Sequence, residues 1–462
     1  MNHYQLIVIG AGPGGYVAAL RAAKLGLHTA VVEDREAGGT CLNRGCVPTK
    51  SLLHSSQVLR DAREGAAIGV LAENIRADLP AMFARQKEIS AKLSAGVEGL
   101  FKSAKVDFLQ GRGCVTAPGC VQVSGKNGET VSYTADHIII ATGSVPARPP
   151  IPGLDLPGVM TSDELLQGAE EPYRSIVIIG GGVIGVEFAT FYGDLGCQVT
   201  IVEGLDRLLP NLDRELGQNL AQLLKKQGVT IHTGAMVQRV EQNGEELSVC
   251  FTAKGEEHSV TGQAVLCAIG RQPYWEGVFA PDLQPEAVGR AIKVDENFCT
   301  SIPGVYAIGD VSSRIQLAHV ASAQGVACVE KICGKVPAVD LRVVPSCVYC
   351  RPEIASVGLT EAEAKDAGIS VKVGKCVMGA NARTMIDDPG RCFMKVVGRV
   401  DTRQIVGAQL MCQHSTDMID QLSQAVANGM TVEQLLRAMR PHPTFAEALG
   451  DALEDLAAKL DK

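Results

Sequence analysis

No stretch of the 462-residue chain stays apolar for the ~20 residues that a membrane-spanning helix needs. No basic segment precedes a hydrophobic core at the N-terminus. Strand-like Leu6-Ile7-Val8-Ile9 begins almost at once, so a secretory signal is not expected and a cytoplasmic protein is. Positive charge is also short: 43 Lys and Arg against 51 Asp and Glu leave a formal net charge of −8. That lacks the basic stripe of a nucleic-acid surface. Fifteen cysteines in a reducing compartment read as mostly free thiols, not as a disulfide framework. Cys347 and Cys350 have metal-ligand spacing, but no second ligand pair at zinc-finger distance joins them, so no metal is assigned. Cys328 and Cys333 read as ordinary core thiols in a regular helix.

What is present begins with length. A chain of this size exceeds one hydrophobic core and predicts two to four domains. Its 50 glycines point to many tight strand-to-helix turns, as α/β folds need. One such turn is Gly10-Ala11-Gly12-Pro13-Gly14-Gly15, after an apolar strand and before the alanine-rich helix Tyr16–Ala23. The next strand, Ala30-Val31-Val32-Glu33, ends in a carboxylate suited to a ribose 2′-hydroxyl. Glycines here let a pyrophosphate approach the backbone, and the helix start offers it free N–H groups. The pattern returns at Ile176–Ile179 followed by Gly180-Gly181-Gly182-Val183-Ile184-Gly185, and closes on Glu203. Glu203 follows Gly180 by 23 positions, as Glu33 follows Gly10. Two units at identical internal spacing imply two dinucleotide-binding domains. They are expected to hold different dinucleotides, because hydride transfer needs a donor and an acceptor.

Between the units, Cys41 and Cys46 stand five positions apart in Gly38-Gly39-Thr40-Cys41-Leu42-Asn43-Arg44-Gly45-Cys46-Val47-Pro48-Thr49-Lys50. A regular helix separates such positions by ~7.5 Å along its axis, and a disulfide rarely spans Cα atoms more than ~7 Å apart. A bond therefore needs an irregular turn, which Gly45 and Pro48 permit. Spacing alone leaves two readings open: a reducible redox pair, or two unrelated thiols. Residues 63–105 read as longer helices. Two later strands, Ile138–Ile140 and Val265–Ile269, each end in a glycine turn and then a proline, Pro146 or Pro273. Asp310 reads either as an N-cap before a helix over 311–333 or as a ligand to a cofactor. From Val343 onward, strand-like runs (Ala355–Val357, Phe393–Val397, Ile405–Leu410) alternate with helices, predicting an α+β domain. On its residues alone, His442 is a solvated surface histidine and Lys50 an exposed lysine.

The segment from Gly38 to Lys50 resembles the redox-active disulfide of the flavin-dependent pyridine nucleotide–disulfide oxidoreductases. Essentially the whole chain shares the resemblance. Gly14–Ala19, Cys41-Leu42-Asn43, Gly185-Val186-Glu187-Phe188-Ala189 and Ala380-Asn381-Ala382-Arg383 bring it nearest to the branch acting on dihydrolipoamide. The resemblance implies an α/β fold of two Rossmann-like domains plus a C-terminal α+β dimerisation domain. Its divisions would be an FAD-binding domain (1–146), an NAD-binding domain (147–272), a central segment completing the FAD site (273–341) and an interface domain (342–462).

The same resemblance implies an electron relay from dihydrolipoamide through a Cys41–Cys46 disulfide and FAD to NAD. Cys41 would be the interchange thiol and Cys46 the thiolate against the flavin. Gly10, Gly12, Gly14, Gly15, Glu33, Thr40, Lys50, Gly113, Thr142, Gly143, Asp310 and Ala318 fall to the FAD site. Gly180, Gly182, Gly185, Glu203 and Gly270 fall to the nicotinamide nucleotide, with Glu187 as ion-pair partner of Lys50. Glu203 would repel a 2′-phosphate, and Arg207 is the only nearby base, so NAD is favoured over NADP. Pro441-His442-Pro443-Thr444-Phe445-Ala446-Glu447 matches the family's HPT-x-x-E pattern, with a cis bond before Pro443. His442 would then be the catalytic base of the partner subunit, oriented by Glu447, which makes a homodimer the smallest active unit. His319 is structural or flavin-adjacent. A lipoyl-bearing protein of a 2-oxo acid dehydrogenase or glycine cleavage complex is the implied partner. Arg351 and Arg440 stand where relatives often carry histidine. The competing expectations are a reductase of a small disulfide such as glutathione, for which Arg21 and Arg44 are available, and a flavoprotein redox sensor without turnover.

Overall fold

The structure, a computed structural model, describes residues 2–387 and 390–462. Leu6–Ile9 lies between the parallel strands Thr29–Glu33 and Thr130–Ile140 and is buried on both faces, Leu6 and Val8 against Ala18, Ala19 and Ala22, and Ile7 and Ile9 among Val115, Val121 and Val305. Asp107–Gln110 extends the sheet beyond Thr29–Glu33, and Cys120–Ser124 and Arg112–Ala117 extend it antiparallel at the other edge. Helix α1 (Pro13–Lys24) makes the first crossover, with proline at its first turn where no donor is needed. Then come a short α2 (Gly39–Asn43), the long α3 (Cys46–Glu64) and α4 (Leu79–Ala104), which Asp78 caps by accepting from the Ala81 N–H at 3.0 Å. The long helices expected over 63–105 thus reduce to the end of α3, a 3₁₀ turn at Gly65–Ile68, an irregular stretch, and α4.

The second unit is a five-stranded parallel sheet in the order Thr230–Thr233, Gln198–Glu203, Ser175–Ile179, Ala264–Cys267, Val159–Met160. Short α5 (Ser162–Leu165), α6 (Val183–Leu195) and α7 (Arg214–Lys226) accompany it, as does an antiparallel sheet of 235–243, 246–253 and 256–262. α6 is buried nearly all round because α3 of the first unit covers the face its own sheet leaves free. The connections between the units pair with each other: Ser144–Pro146 runs antiparallel to Arg271–Pro273. Pro146 and Pro273, the prolines that follow the two later glycine turns, both sit in this two-stranded link. The chain then returns to the first sheet, adding Val305–Ala307 beside Thr130–Ile140, and α8 (Ala318–Ile332) packs on α1.

The last unit is antiparallel, in the order Ser346–Val348, Ile354–Gly358, Ile405–Met411, Phe393–Arg399, Val371–Val377. Its helices are α9 (Glu361–Asp366), α10 (Ala382–Asp387), α11 (Ser415–Ala427), α12 (Val432–Leu436) and α13 (Glu447–Leu460). α13 turns Leu449, Leu453 and Leu456 onto the sheet at helical spacing. One apolar core runs through all three units: Leu52 and Leu59 of α3, Phe188 and Phe191 of α6, Leu216 and Leu220 of α7, and Phe393 and Met411. Among the described residues no helix is long and apolar enough to cross a membrane.

Candidate functional site

The two glycine turns are built alike. Gly10 has φ +105° and Gly180 φ +108°, a region closed to most side chains. A Cβ on Gly10 would lie 2.4 Å from the Ala141 carbonyl oxygen, and one on Gly180 would lie 2.5 Å from that of Ala268. Gly15 and Gly185 do not face the cleft; each lets its helix rest on the turn, where a Cβ would come 1.8 Å or 2.0 Å from the carbonyl oxygen of Gly10 or Gly180. The closing acids clip these turns. Glu33 Oε2 accepts from the Ala11 N–H (2.8 Å) and Oε1 from the Arg35 N–H (3.0 Å). Glu203 repeats both bonds with Gly181 (2.5 Å) and Leu205 (2.7 Å). A carboxylate has about four lone-pair directions, so each acid can still accept from a ribose hydroxyl.

Both turns open into one cleft of about 1610 Å³. Gly12, Gly14, Glu33, Thr40, Gly113, Thr142, Gly143, Asp310 and Ala318 line it with Gly10, and Gly182, Glu187, Glu203 and Gly270 with Gly180. Arg207 does not; it pairs with Asp206 at 3.0 Å and donates to the Pro210 carbonyl at 2.8 Å. Asp310 lies in a 3₁₀ turn, and α8 starts eight residues later with Leu317 as its cap, so the N-cap alternative does not hold. Its Oδ2 accepts from Ser144 Oγ at 2.6 Å, and Arg271 grips the same serine, Nε on Oγ at 2.8 Å and Nη2 on the carbonyl at 2.7 Å. Burial pushes the Asp310 carboxyl up, against Ser144 and Arg271, which hold it down. Arg271 and Ser144 carried no sequence signal beyond their place beside glycine turns. His319 Nε2 lies 2.9 Å from the Pro345 carbonyl, tying the start of α8 to the last unit.

Cys41 sits in α2 and Cys46 opens α3, with the helix broken between them at Arg44 and Gly45. The chain thus supplies the irregular turn that a bridge requires. Cys46 is drawn down to about 7, first by the Cys41 thiol beside it and then by Lys50, while Cys41 is pushed up by the same contact and by burial. A thiolate at a helix N-terminus is further favoured by the helix dipole. Lys50 Nζ holds Glu187 at 2.7 and 2.9 Å. Burial works against its charge, and Glu187, itself only 2% exposed, more than offsets that. The ring of Tyr349 lies 4.7 Å from Lys50 Nζ, and its backbone N–H donates to Glu187 Oε1 at 3.1 Å. First, second and last units therefore meet at one ion pair beside the thiols. Tyr349 carried no signal of its own in the sequence; two residues on, Arg351 reaches Glu64 at 3.3 Å and Asp61 at 3.5 Å on α3.

His442 and Glu447 lie away from this cleft. His442 Nδ1 is 2.8 Å from Glu447 Oε1, and the Thr444 N–H donates to Oε2 at 2.9 Å. Those two contacts, the backbone first, hold the Glu447 carboxyl below its usual range. The His442–Pro443 bond is cis, as the resemblance implies. Arg440 folds back onto the carbonyls of Leu435 and Ala438 (3.3 and 3.2 Å). Arg21 pairs with Glu330, and Arg44 with Glu36 at 2.8 Å. Cys350 is buried, its thiol on the Pro352 carbonyl at 3.2 Å, while Cys347 lines the cleft.

The pyridine nucleotide-disulphide oxidoreductase family matches residues 4–325, and its dimerisation domain matches 344–453. Dihydrolipoyl dehydrogenase of Bacillus subtilis is 40% identical, over 98% of this chain and 97% of its own. The solved structure of LpdA from Mycobacterium tuberculosis superposes with a TM-score of 0.90 at 27% identity, covering 98% of this chain and 99% of that one. The HOCl-induced flavoprotein disulfide reductase RclA of Escherichia coli, solved as a Cu(II) complex, gives 0.87 at 28%, with 98% and 99% covered. Doubled glycine turns sharing a cleft with a paired thiol, and matches that run nearly end to end, lead to one conclusion: the chain belongs to the pyridine nucleotide–disulphide oxidoreductases.

Proposed function

We propose that the protein reversibly oxidises dihydrolipoamide on a lipoyl-bearing protein of a 2-oxo acid dehydrogenase or glycine cleavage complex. Two electrons pass through a Cys41–Cys46 disulfide and FAD to NAD. The carrying observation is a split one: the thiols lie inside the cleft, while the His442–Glu447 couple stands outside it on the same chain. That division suits a homodimer in which His442 of the partner subunit meets Cys41. The divisions 1–146, 147–272, 273–341 and 342–462 belong to this reading, as does a cytoplasmic location, where the cysteines other than Cys41 and Cys46 stay reduced.

The first turn fits FAD: its backbone is bare at Gly10, Gly12 and Gly14, and Glu33, Thr40, Gly113, Thr142, Gly143, Asp310 and Ala318 line the way to the thiols. FAD bound there supplies a two-electron relay between the thiols and the nicotinamide. The chain's own groups do the rest. With the bridge formed, His442 of the partner subunit takes a proton from the substrate dithiol. The thiolate attacks Cys41 Sγ, the bridge breaks, and Cys46 leaves as thiolate, which its low pKa favours. The second substrate thiol displaces Cys41, closing the substrate disulfide. Glu447 fixes the imidazole's tautomer and steadies its cation. Lys50, held by Glu187, keeps positive charge beside Cys46. At the second turn, Gly180, Gly182 and Gly270 receive the nicotinamide nucleotide, and Glu203 with Leu205 leaves a 2′-phosphate no cation, Arg207 being engaged elsewhere.

The test is NADH oxidation by the FAD-loaded protein with lipoamide or glutathione disulfide, and with NADH or NADPH. Fast turnover confined to NADH and lipoamide is expected. Turnover of glutathione disulfide instead would overturn the substrate; the pairing of Arg21 and Arg44 with acids argues against that outcome. No disulfide turnover at all would leave a redox sensor.

A further inference from the structure

Four charges that the mechanism does not use meet at the seam between the dimerisation domain and the second nucleotide unit. Lys375 and Lys395 stand directly opposite each other on adjacent antiparallel strands. Like charges so placed repel, and Lys395 is only 8% exposed, so water does little to separate them. The other unit supplies the remedy. Asp213 Oδ2 lies 2.9 Å from Lys395 Nζ and Glu215 Oε2 3.5 Å, and Lys375 hydrogen-bonds the other Glu215 oxygen. Lys375 also lies over the Phe393 ring at 4.9 Å. Asp213 is the N-cap of α7, its Oδ1 accepting from the Glu215 N–H at 2.9 Å.

Just upstream of Asp213 is the wall of the nucleotide site. Gly204, Leu205, Leu209, Pro210, Asn211 and Leu212 all line the cleft. Leu209 is held at φ +49°, where branched side chains seldom sit, and its N–H donates to the Gly181 carbonyl at 2.9 Å. Such a backbone persists only where its surroundings over-determine it. Here one end of the loop is fixed by Glu203 and the glycine turn, and the other by the hold of Lys395 on Asp213, with Lys375 on the adjoining Glu215. We propose that Lys395, assisted by Lys375, is a positioning residue for the nicotinamide nucleotide. Through Asp213 it sets the loop 204–213, and so the affinity for NAD(H), and leaves the thiol half of the reaction untouched. This rests on the reading of the second turn as the NAD site.

The half-reactions separate the two claims. Flavin reduction in the holoenzyme is followed with NADH and, separately, with dihydrolipoamide. Lys395→Met weakens NADH on the order of tenfold, with reduction by dihydrolipoamide unchanged, and Lys395→Arg restores most of the affinity. Should Lys395→Met fail to fold, Asp213→Asn, which keeps the cap, carries the same expectation. Undiminished NADH affinity in the folded variants, or equal loss in both half-reactions, overturns the proposal. A wild-type protein that NADH does not reduce would instead remove the NAD reading itself.

Discussion

The turns at Gly10 and Gly180 share their geometry down to the two backbone bonds each closing acid accepts, yet the chain treats them differently from there on. After Glu33 it runs within eight residues to Cys41 and then to Cys46 at the start of α3. After Glu203 it runs into the loop that ends at Asp213 and the start of α7. Their helices differ as well: α1 is covered by α8, whereas α6 is covered by α3 and so places Glu187 against Lys50. The dinucleotide turn is a generic phosphate cradle. The segment beyond its acid decides whether a site carries the thiols or receives a diffusible nucleotide.

Breaking the turns one at a time gives the largest effect. In Gly15→Ala the new methyl meets the Gly10 carbonyl, and in Gly185→Ala that of Gly180, closer than any Cβ contact allows. Overpacking of this kind costs about 1–3 kcal/mol and shifts backbone. Gly15→Ala is expected to purify largely without flavin absorbance. Gly185→Ala is expected to keep its flavin and its reduction by dihydrolipoamide but to lose reduction by NADH. Loss of flavin from both would show that the sites are not independent.

A smaller but cleaner cut falls on the thiols, which only the first unit carries. Cys46→Ser is expected to abolish disulfide turnover and any long-wavelength thiolate–flavin band, whereas Cys41→Ser loses turnover and keeps the band. Full turnover in Cys46→Ser would sink the scheme.

The pattern of what the sequence disclosed tracks the range of the interactions. The turns, the acids 23 residues later and the broken helix between Cys41 and Cys46 are local, set by glycines and periodicity, and each lies where its spacing put it. The antiparallel last unit was visible as alternating runs. The Lys50–Glu187 pair and the roles of His442 and Glu447 came from resemblance alone. Groups 127 or more positions apart, such as Arg271 on Ser144, Ser144 on Asp310 or Arg60 on Asp194, gave no signal, because a pairing between units leaves no period in either. The irregular stretch before α4 was likewise read as helix, its polarity resembling a solvated helix face.

The smallest effect sharpens the contrast most, because it asks what the α3–α6 contact does to the thiols. Alkylation of the flavin-free, reduced protein by iodoacetamide should label Cys46 well ahead of Cys41, with a rate that rises through pH about 7. Below that pH the thiol is protonated and slow; between 7 and its ordinary value near 9 a free thiol would still be mostly unreactive, and Cys46 is not. Lys50 holds this value down and Glu187 pushes it up, so the two halves of one ion pair act in opposite directions. Lys50→Met should move the midpoint up and cut the reactive fraction at pH 7, while the Cys41 contact still holds Cys46 below a free thiol. Glu187→Gln should move it down and raise the rate at pH 6. Lys50→Met leaves the buried Glu187 carboxylate without its cation, a loss of about 3–5 kcal/mol in stability, whereas Glu187→Gln leaves Lys50 partly solvated in the cleft, so thermal melting should report Lys50→Met as the more destabilised. Opposite shifts in reactivity would establish the pair as an electrostatic control on Cys46. Shifts of the same sign would reduce it to a structural tie between the two nucleotide units.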